Sequence, residues 1–365
     1  MKKNPLIYVF AGFVLAITIF DIAKPDKTFS DLENRMLASK PKFTAKGYFE
    51  NTFGPKYETY MNDQFIFRDQ WIDLKSTTEF ALGKLENNNI IFGKDKYLFD
   101  KFDTMEKEKQ EKNIEAINIF KEKINANLVT MIAPNSYEIY RENLYKGLNM
   151  INQRVETEKV YGSLESRNIN LFNVFDENKD KYIYYKTDHH WTTEGAYLAY
   201  CEFVKLKGIE PMDLNYFESK KVEGFLGTFF SKGKPFKSEY DTITYYEIPN
   251  LEVTIGEKKF NSLYDYEKIS ERDKYGMFLR GNNPLTIIKN NSLSNGKKIL
   301  IIKDSYANSF IPFLTFNYEE IHVIDLRSFL SGVAEYTNEN AIDDVLILYN
   351  FTNFNRDNNI LKLKY

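Results

Sequence analysis

Cysteine is nearly absent: Cys201 is the only one in 365 residues. The chain can form no intramolecular disulfide and no cysteine-based zinc site. Cys201 lies in the apolar helical stretch "AYLAYCEFV", where a thiol is expected to be buried and inert. The lack of disulfides is compatible with an exported protein of a Gram-positive type. Histidine is scarce too, with three in the chain, so imidazole chemistry has few candidates. There is no basic stripe or Lys/Arg block, and the net charge of −3 comes from interspersed acids and bases. That pattern argues against nucleic-acid binding. Walker A and GxGxxG motifs, internal repeats and low-complexity blocks are all missing, and no cofactor is expected.

What is present reads as a folded protein. Hydrophobic residues make up 43% and charged residues 28%, ordinary for a globular chain and wrong for a disordered one. The length suits one large or two modest domains. Aromatics reach 16%, mostly Phe and Tyr. Most belong to a core, while surface clusters of Tyr can line a sugar-binding groove. The N-terminus "MKKNPLIYVFAGFVLAITIFDIAKPDK" opens on Lys2 and Lys3, followed by an uncharged apolar run from Pro5 to Phe20. The run is long for a cleavable signal peptide, and no Ala-x-Ala site follows it. From Asn4 to Ala23 it has the length of a membrane span. An uncleaved signal anchor is expected, with Lys2 and Lys3 cytoplasmic and everything after Lys24 outside. A buried helix of a soluble protein is the alternative.

The organisation expected is an anchor over residues 1–25, a juxtamembrane and helical segment over 26–88, and an α/β domain over 89–365. Residues 24–45 are polar and extended, and 47–85 read as helices whose apolar residues recur at three and four. Their bland reading is a helical layer packed on the main domain. "NIIFGKDKYLFD" predicts a hairpin, and "EKEKQEKNIEAINIFKEKI" a charged amphipathic helix. "NLVTMIAPNSYEIY" is a strand stopping at Pro134, "RNINLFNVFDENK" a short strand, and "TTEGAYLAYCEFVKLKG" a helix ending at Gly208. Residues of about 210–295 predict a β-rich insertion, including "GFLGTFFSKGKPF". Three nearly all-apolar runs then end in polar residues: Asp304-Ser305, Asp325-Arg327 and Asn350-Thr352. Such runs are typical of parallel strands buried on both faces, with ligands at their carboxyl ends.

Two stretches could carry chemistry. In "ILIIKDSYANS" a strand runs into Asp304-Ser305 and a turn toward a helix. A serine there is presented at the sheet's edge, where backbone N–H groups can stabilise an oxyanion. The plain alternative is an ordinary helix N-cap. The other stretch, "YKTDHHWTTEG", holds Asp188, His189, His190 and Trp191. His322 sits in the strand-like "EIHVID" and reads as structural. A histidine base for Ser305 is therefore His189 or His190. If the segment is extended, Asp188 and His190 share a face and His189 points elsewhere. Chain order is no objection to such a triad. Asp-His-His also occurs in two-metal phosphoesterases, but those need further ligands on earlier strands, and no histidine precedes His189. A purely structural role, capping the helix near Thr193, is the third reading.

"TDHHWTTEGAY" together with "IIKDSYANSF" resembles the bacterial family named for its DHHW motif. It is also similar to the SGNH-hydrolase-like domains of alginate and cell-wall polysaccharide O-acetyltransferase machinery. "FSDLENRMLASKP", "YMNDQFIFRDQW" and "GKDKYLFD" fit the same pattern, so the resemblance spans most of the chain after the anchor. It implies an SGNH-type, mostly parallel sheet with flanking helices, a helical N-terminal layer and a β-rich insertion. It implies Ser305 as nucleophile, His190 as base, Asp188 as its orienter, and no metal. The expected activity is a membrane-anchored O-acetyltransferase on an extracellular polysaccharide or cell-wall glycopolymer, supplied by an MBOAT-type membrane acyltransferase. An esterase with the same triad, or a non-catalytic scaffold of a surface-polymer assembly, are the alternatives. The chain departs from the SGNH pattern at Lys303, where Gly is usual, and it lacks a plain Gly-x-Asn-Asp block. Asn350 or Asn353 stands in for the oxyanion asparagine, with Gly281 and Asn282 a second pair. Arg327 could meet an anionic substrate or pair with Asp325. His189 and Trp191, beside the base, complete the expected substrate-binding set.

Overall fold

The late apolar runs become strands because Ile, Val and Leu pack well on a pleated surface closed on both faces. The structure, a computed structural model, describes residues 5–235 and 238–365. Lys2, Lys3 and Asn4 of the expected anchor, and Phe236 of the expected β region, lie outside the described residues. Eight strands form the central sheet: β1 (Asn127–Ala133), β2 (Arg167–Ile169), β3 (Leu251–Ile255), β4 (Lys258–Phe260), β5 (Leu285–Asn290), β6 (Lys298–Lys303), β7 (Glu320–Ile324) and β8 (Asp344–Asn350). Their order is β4-β3-β5-β7-β6-β8-β1-β2. The five strands from β7 to β2 run parallel, in a register that sets Leu300 beside both His322 and Val345. β5, β3 and β4 extend the sheet antiparallel. The fold is α/β, with a large, mostly parallel central sheet.

The β-rich region is thus two things. Ser219–Phe225 and Asp241–Tyr246 make a separate two-stranded sheet, whereas Leu251–Asn290 joins the central one. Within "GFLGTFFSKGKPF" the β expectation fails, because Thr228–Gly233 is a short helix.

Four helices matter below: α1 (Pro5–Ala23), α2 (Lys107–Lys123), α3 (Thr193–Leu206) and α4 (Ala307–Leu314). α3 starts where Thr192 accepts the Gly195 N–H at 3.3 Å, an N-cap that satisfies one orphan donor. It ends in Gly208 at φ +70°, a backbone region open to glycine at little cost. Its buried face of Ala196, Ala199, Tyr200, Phe203 and Val204 packs on α4, with Phe203 and Phe310 ring centroids 6.3 Å apart. Each such buried ring contributes about 2 kcal/mol. Cys201 is half-buried against this core, and burial pushes its thiol pKa up.

α1 is 19 residues long with a mean hydropathy of 2.3 and no buried residue, long and apolar enough to cross a membrane. The helices that follow, Ala45–Phe49, Phe53–Gln64 and Arg68–Ala81, supply the expected helical N-terminal segment, but little of it is buried. The second and third bury only Asp63, Gln64 and Ser76, while Phe67, Trp71 and Leu74 stay exposed. Periodicity marks an apolar face but does not say what it meets. Polar contacts tie the segment together, Arg35 to Asp63 at 2.5 Å and Glu33 to Arg68, and others reach the domain: Glu33 pairs with Lys234, and Arg272 donates to the Asp31 carbonyl at 2.8 Å.

Candidate active site

β6 ends at Lys303, and the chain turns through Asp304, Ser305 and Tyr306 into α4. β6 lies between β7 and β8, so its carboxyl end is a point where the connections diverge to either side of the sheet. Ser305 is not the helix cap. Its Oγ lies 2.7 Å from His190 Nε2. His190 Nδ1 lies 2.5 Å from Asp188 Oδ1, which also accepts the His190 backbone N–H at 3.0 Å. That second bond is an Asx-type turn. Asp188 and His190 therefore meet by a tight bend rather than along an extended segment, and a bend does not send His189 away. The two imidazole centroids are 3.7 Å apart, and His189 Nδ1 reaches the Thr228 hydroxyl at 2.6 Å.

Several positions invisible as site residues in the sequence hold this line. The Thr228 backbone N–H donates to Asp188 Oδ2 at 2.7 Å, and its hydroxyl donates to the same oxygen. Gly227 passes so close that a Cβ there would sit 2.2 Å from the Asp188 Cβ. Tyr275 stacks on His190 at 3.7 Å between centroids, and its hydroxyl donates to the Ser305 carbonyl at 3.0 Å. Buried Asp241 accepts the backbone N–H groups of Lys186 and Thr187 at 2.9 and 2.8 Å, fixing the approach to Asp188. No local spacing signals these partners; each comes from a distant part of the chain.

The remaining expected residues fall in different places. Trp191 does not face a substrate: it is fully buried, and its indole N–H donates to the Tyr306 carbonyl and the Ser309 hydroxyl, both at 3.0 Å. Asn350 and Asn353 each turn an amide nitrogen onto Asp304 Oδ2, at 2.6 and 2.9 Å. An amide nitrogen carries two hydrogens, so one remains on each. The Gly281 N–H is engaged by the Phe278 carbonyl at 3.1 Å. Asn282 Oδ1 accepts from Lys303 Nζ at 2.6 Å and Asn308 Nδ2 at 3.2 Å. Arg327 forms a two-pronged pair with Asp325 instead of standing free for an anion. His322 is held between Tyr336 and Glu320, each at 2.6 Å, a structural setting. The Ser305 backbone N–H has no partner among the described residues.

Charge is distributed in a way that suits proton transfer. Burial alone pushes the Asp188 carboxyl up, yet the imidazoles of His189 and His190 hold it well below the usual carboxylate range. His190 is lowered to about 4, by burial and then by His189, against the opposing pull of Asp188. It is therefore a neutral base at neutral pH. Lys303, where the SGNH pattern has Gly, is lowered to about 8 by burial, with Asp325 opposing. Asp188, His189 and His190 do place ligand atoms within 4.8 Å of one another. Both carboxylate oxygens and both nitrogens of His190 are already hydrogen-bonded, to Thr228, each other and Ser305. A metal there would have to break that line.

The sequence profile described as "DHHW protein" matches residues 114–324. Among solved structures, a DHHW family protein from Eubacterium siraeum is 25% identical, with a TM-score of 0.68 over 76% of this chain and 96% of that one. Bacillus cereus PatB1, in a structure with a sulfonyl adduct, is 21% identical, with a TM-score of 0.62 over 76% of this chain and 97% of its own. The O-acetyltransferase domain of Pseudomonas putida AlgJ is 15% identical, with a TM-score of 0.48 over 76% and 98%. No curated protein matches the chain.

Proposed function

The chain belongs to the DHHW protein family, and we propose that it is a serine O-acetyltransferase acting outside the cytoplasm on a cell-surface polysaccharide. The observation that carries this reading is the unbroken line Asp188–His190–Ser305, with contacts of 2.5 and 2.7 Å at the carboxyl end of a parallel strand. A serine within hydrogen-bond reach of an oriented neutral imidazole is equipped for nucleophilic attack. A scaffold has no need of that arrangement.

In this reading His190 Nε2 takes the Ser305 proton as Oγ attacks the acyl carbonyl of the donor. The tetrahedral oxyanion faces the unengaged Ser305 N–H, with the remaining amide hydrogen of Asn353 as second donor. Asp188 stabilises the imidazolium. His190 returns the proton to the departing donor group, leaving acetyl-Ser305. A sugar hydroxyl then gives its proton to His190 and attacks the ester. Collapse breaks the Ser305 Oγ–acyl bond as His190 Nε2 returns the proton to Oγ, releasing the acetylated sugar and restoring the serine. If water enters instead, the same groups make an esterase. A groove of about 440 Å³ lined by Phe80, Tyr97, Tyr145, Lys94 and Lys96 adjoins the site segment through the Leu98 N–H on the Lys186 carbonyl at 2.9 Å. Asp95 lines the groove too, and Lys96 is paired with Glu239; aromatic faces beside hydrogen-bonding polar groups suit a glycan. α1 is read as the uncleaved anchor, and a membrane acyltransferase of the MBOAT type as the acyl supplier.

The test is intact mass after exposure to p-nitrophenyl acetate or a sulfonyl fluoride, since one structure of PatB1 carries a sulfonyl adduct. One adduct on wild type, mapped to Ser305 and missing from Ser305→Ala and His190→Ala, is expected. Sugar acceptors then separate transfer from hydrolysis. A folded wild type that takes up neither reagent would defeat the proposal.

A further inference from the structure

The aromatic side chains of residues 43–60 form a continuous ladder on the outside of the protein. The Phe43 ring lies 6.2 Å from Tyr48 and 5.2 Å from Phe53, between centroids. Phe53 stacks on Tyr57 at 5.6 Å, and Tyr57 meets Tyr60 at 6.0 Å. The Tyr60 hydroxyl then donates to Asp26 at 3.0 Å, just beyond the end of α1. Phe43 is 66% exposed, and Phe49, beside Tyr48, is 85% exposed. A contiguous apolar patch of this kind marks an interaction surface.

Two observations say what it meets. The ladder is clasped to the outer end of α1. The Gln64 amide accepts the Lys27 N–H at 2.9 Å and donates to the Lys27 carbonyl at 2.8 Å. The Ile66 N–H donates to Asp21 Oδ1, in the last turn of α1, at 2.8 Å. The ladder is therefore joined to the chain where α1 would leave the hydrocarbon. Charge is the second observation. Lys40, Lys42, Lys46 and Lys56 lie among these rings, against two acids, Glu50 and Glu58, within residues 40–60. Rings with lysines are the composition of segments lying in the headgroup layer. A second copy would bring lysines against lysines; anionic headgroups would meet them with opposite charge.

We propose that residues 40–60 are a second membrane contact, lying in the headgroup layer beside α1 and binding anionic phospholipid. The inference rests on reading α1 as an anchor. It gives the soluble domain a two-point attachment.

The test uses the full chain in vesicles containing phosphatidylglycerol whose acyl chains are brominated near the headgroup. The chain has two tryptophans; in a Trp71→Phe background only the core indole of Trp191 remains, fully buried, as an internal reference. Adding Phe49→Trp should introduce emission that the brominated lipid quenches severalfold, while the reference stays unchanged. Quenching should weaken when phosphatidylcholine replaces phosphatidylglycerol, or when Lys40, Lys42 and Lys46 become Gln. Unquenched emission from protein that resists a carbonate wash would overturn the proposal and leave the anchor standing. Release by the wash would remove the anchor and this contact with it. Cross-linking between Phe49→Cys chains, without quenching, would assign the face to a second copy instead.

Discussion

His190 is subject to opposed influences, and their balance makes a testable pH dependence. Burial lowers its affinity for a proton, His189 lowers it further, and Asp188 raises it, leaving about 4. Asp188 stays anionic through that range because the imidazoles hold it well below its ordinary value. The active form is the neutral imidazole, populated above its pKa. Labelling of Ser305, or kcat/KM for an ester, is then flat near neutrality and falls about tenfold per unit once the pH drops below about 4. The His189→Gln variant removes the neighbouring positive charge, whose ring sits 3.7 Å away. The acidic limb should move to higher pH, because a lost like charge lets His190 hold its proton more easily. A limb that stays in place or moves lower would show that His189 does not depress its neighbour. A tryptophan beside the base looks equally functional in the sequence, but Trp191 donates inward and anchors α4 to the turn.

The geometry of that pair is built by elements far apart in the chain. The DHHW turn supplies acid and base, and β6 supplies the serine. The backbone just before the helix Thr228–Gly233 presses against Asp188 from behind. Gly227→Ala would put a methyl carbon 2.2 Å from the Asp188 Cβ and 2.3 Å from its Oδ2. Something must move, and the carboxylate is nearest. A misplacement near 1 Å costs about 10²-fold in rate, so ester turnover should fall by about that factor, alongside a stability loss of about 1–3 kcal/mol from the overpacking, too small to unfold the protein at room temperature. Full activity in Gly227→Ala would mean that Asp188 does not need its present position. The strands and their polar ends were legible because two-sided burial writes near-continuous apolar runs into β6, β7 and β8. The scarcity of histidine left His189 or His190 as the base for Ser305, with His322 set aside in its strand-like run. Gly227, Thr228, Tyr275 and Asp241 were not legible, because nothing in local spacing says that position 228 folds back onto position 188. The antiparallel extension by β3, β4 and β5 was hidden for the same reason: alternation marks a strand but not the edge it joins.

Across the whole molecule, the N-terminal segment is held to the α/β domain by charge more than by apolar packing. Glu33 lies between Arg68 of the N-terminal helices and Lys234 of the domain, and Asp63 is held by Arg35 and the Ala38 N–H. Burial raises the Glu33 carboxyl, but Lys234 and Arg68 outweigh it and leave it below its ordinary 4.5. Arg35 first, with help from Ala38, takes Asp63 from 3.8 to about 2. Asp63 holds the segment to itself, since Arg35, Ala38 and Arg68 all belong to it. Glu33, which reaches Lys234, binds fewer protons docked than released, so the clasp is at full strength above its ordinary value and is lost as the pH falls toward the depressed one. Breaking one partner of such a network leaves the opposite charges unpaired. Glu33→Ala should therefore loosen the segment at neutral pH, and acid should loosen it in wild type as the pH falls below the ordinary 4.5 of Glu33 toward its depressed value. Hydrogen exchange over residues 26–82 at neutral pH reads the first effect, and pepsin cleavage across the acid range reads the second. Ser305 labelling should stay near the wild-type rate in Glu33→Ala, because Glu33 itself touches none of Asp188, His190 and Ser305 and reaches the site only through Lys234, at the far end of the short helix that begins at Thr228. Unchanged exchange in that variant would mean that apolar contacts hold the segment after all, and loss of labelling with it would mean that the segment shapes the site.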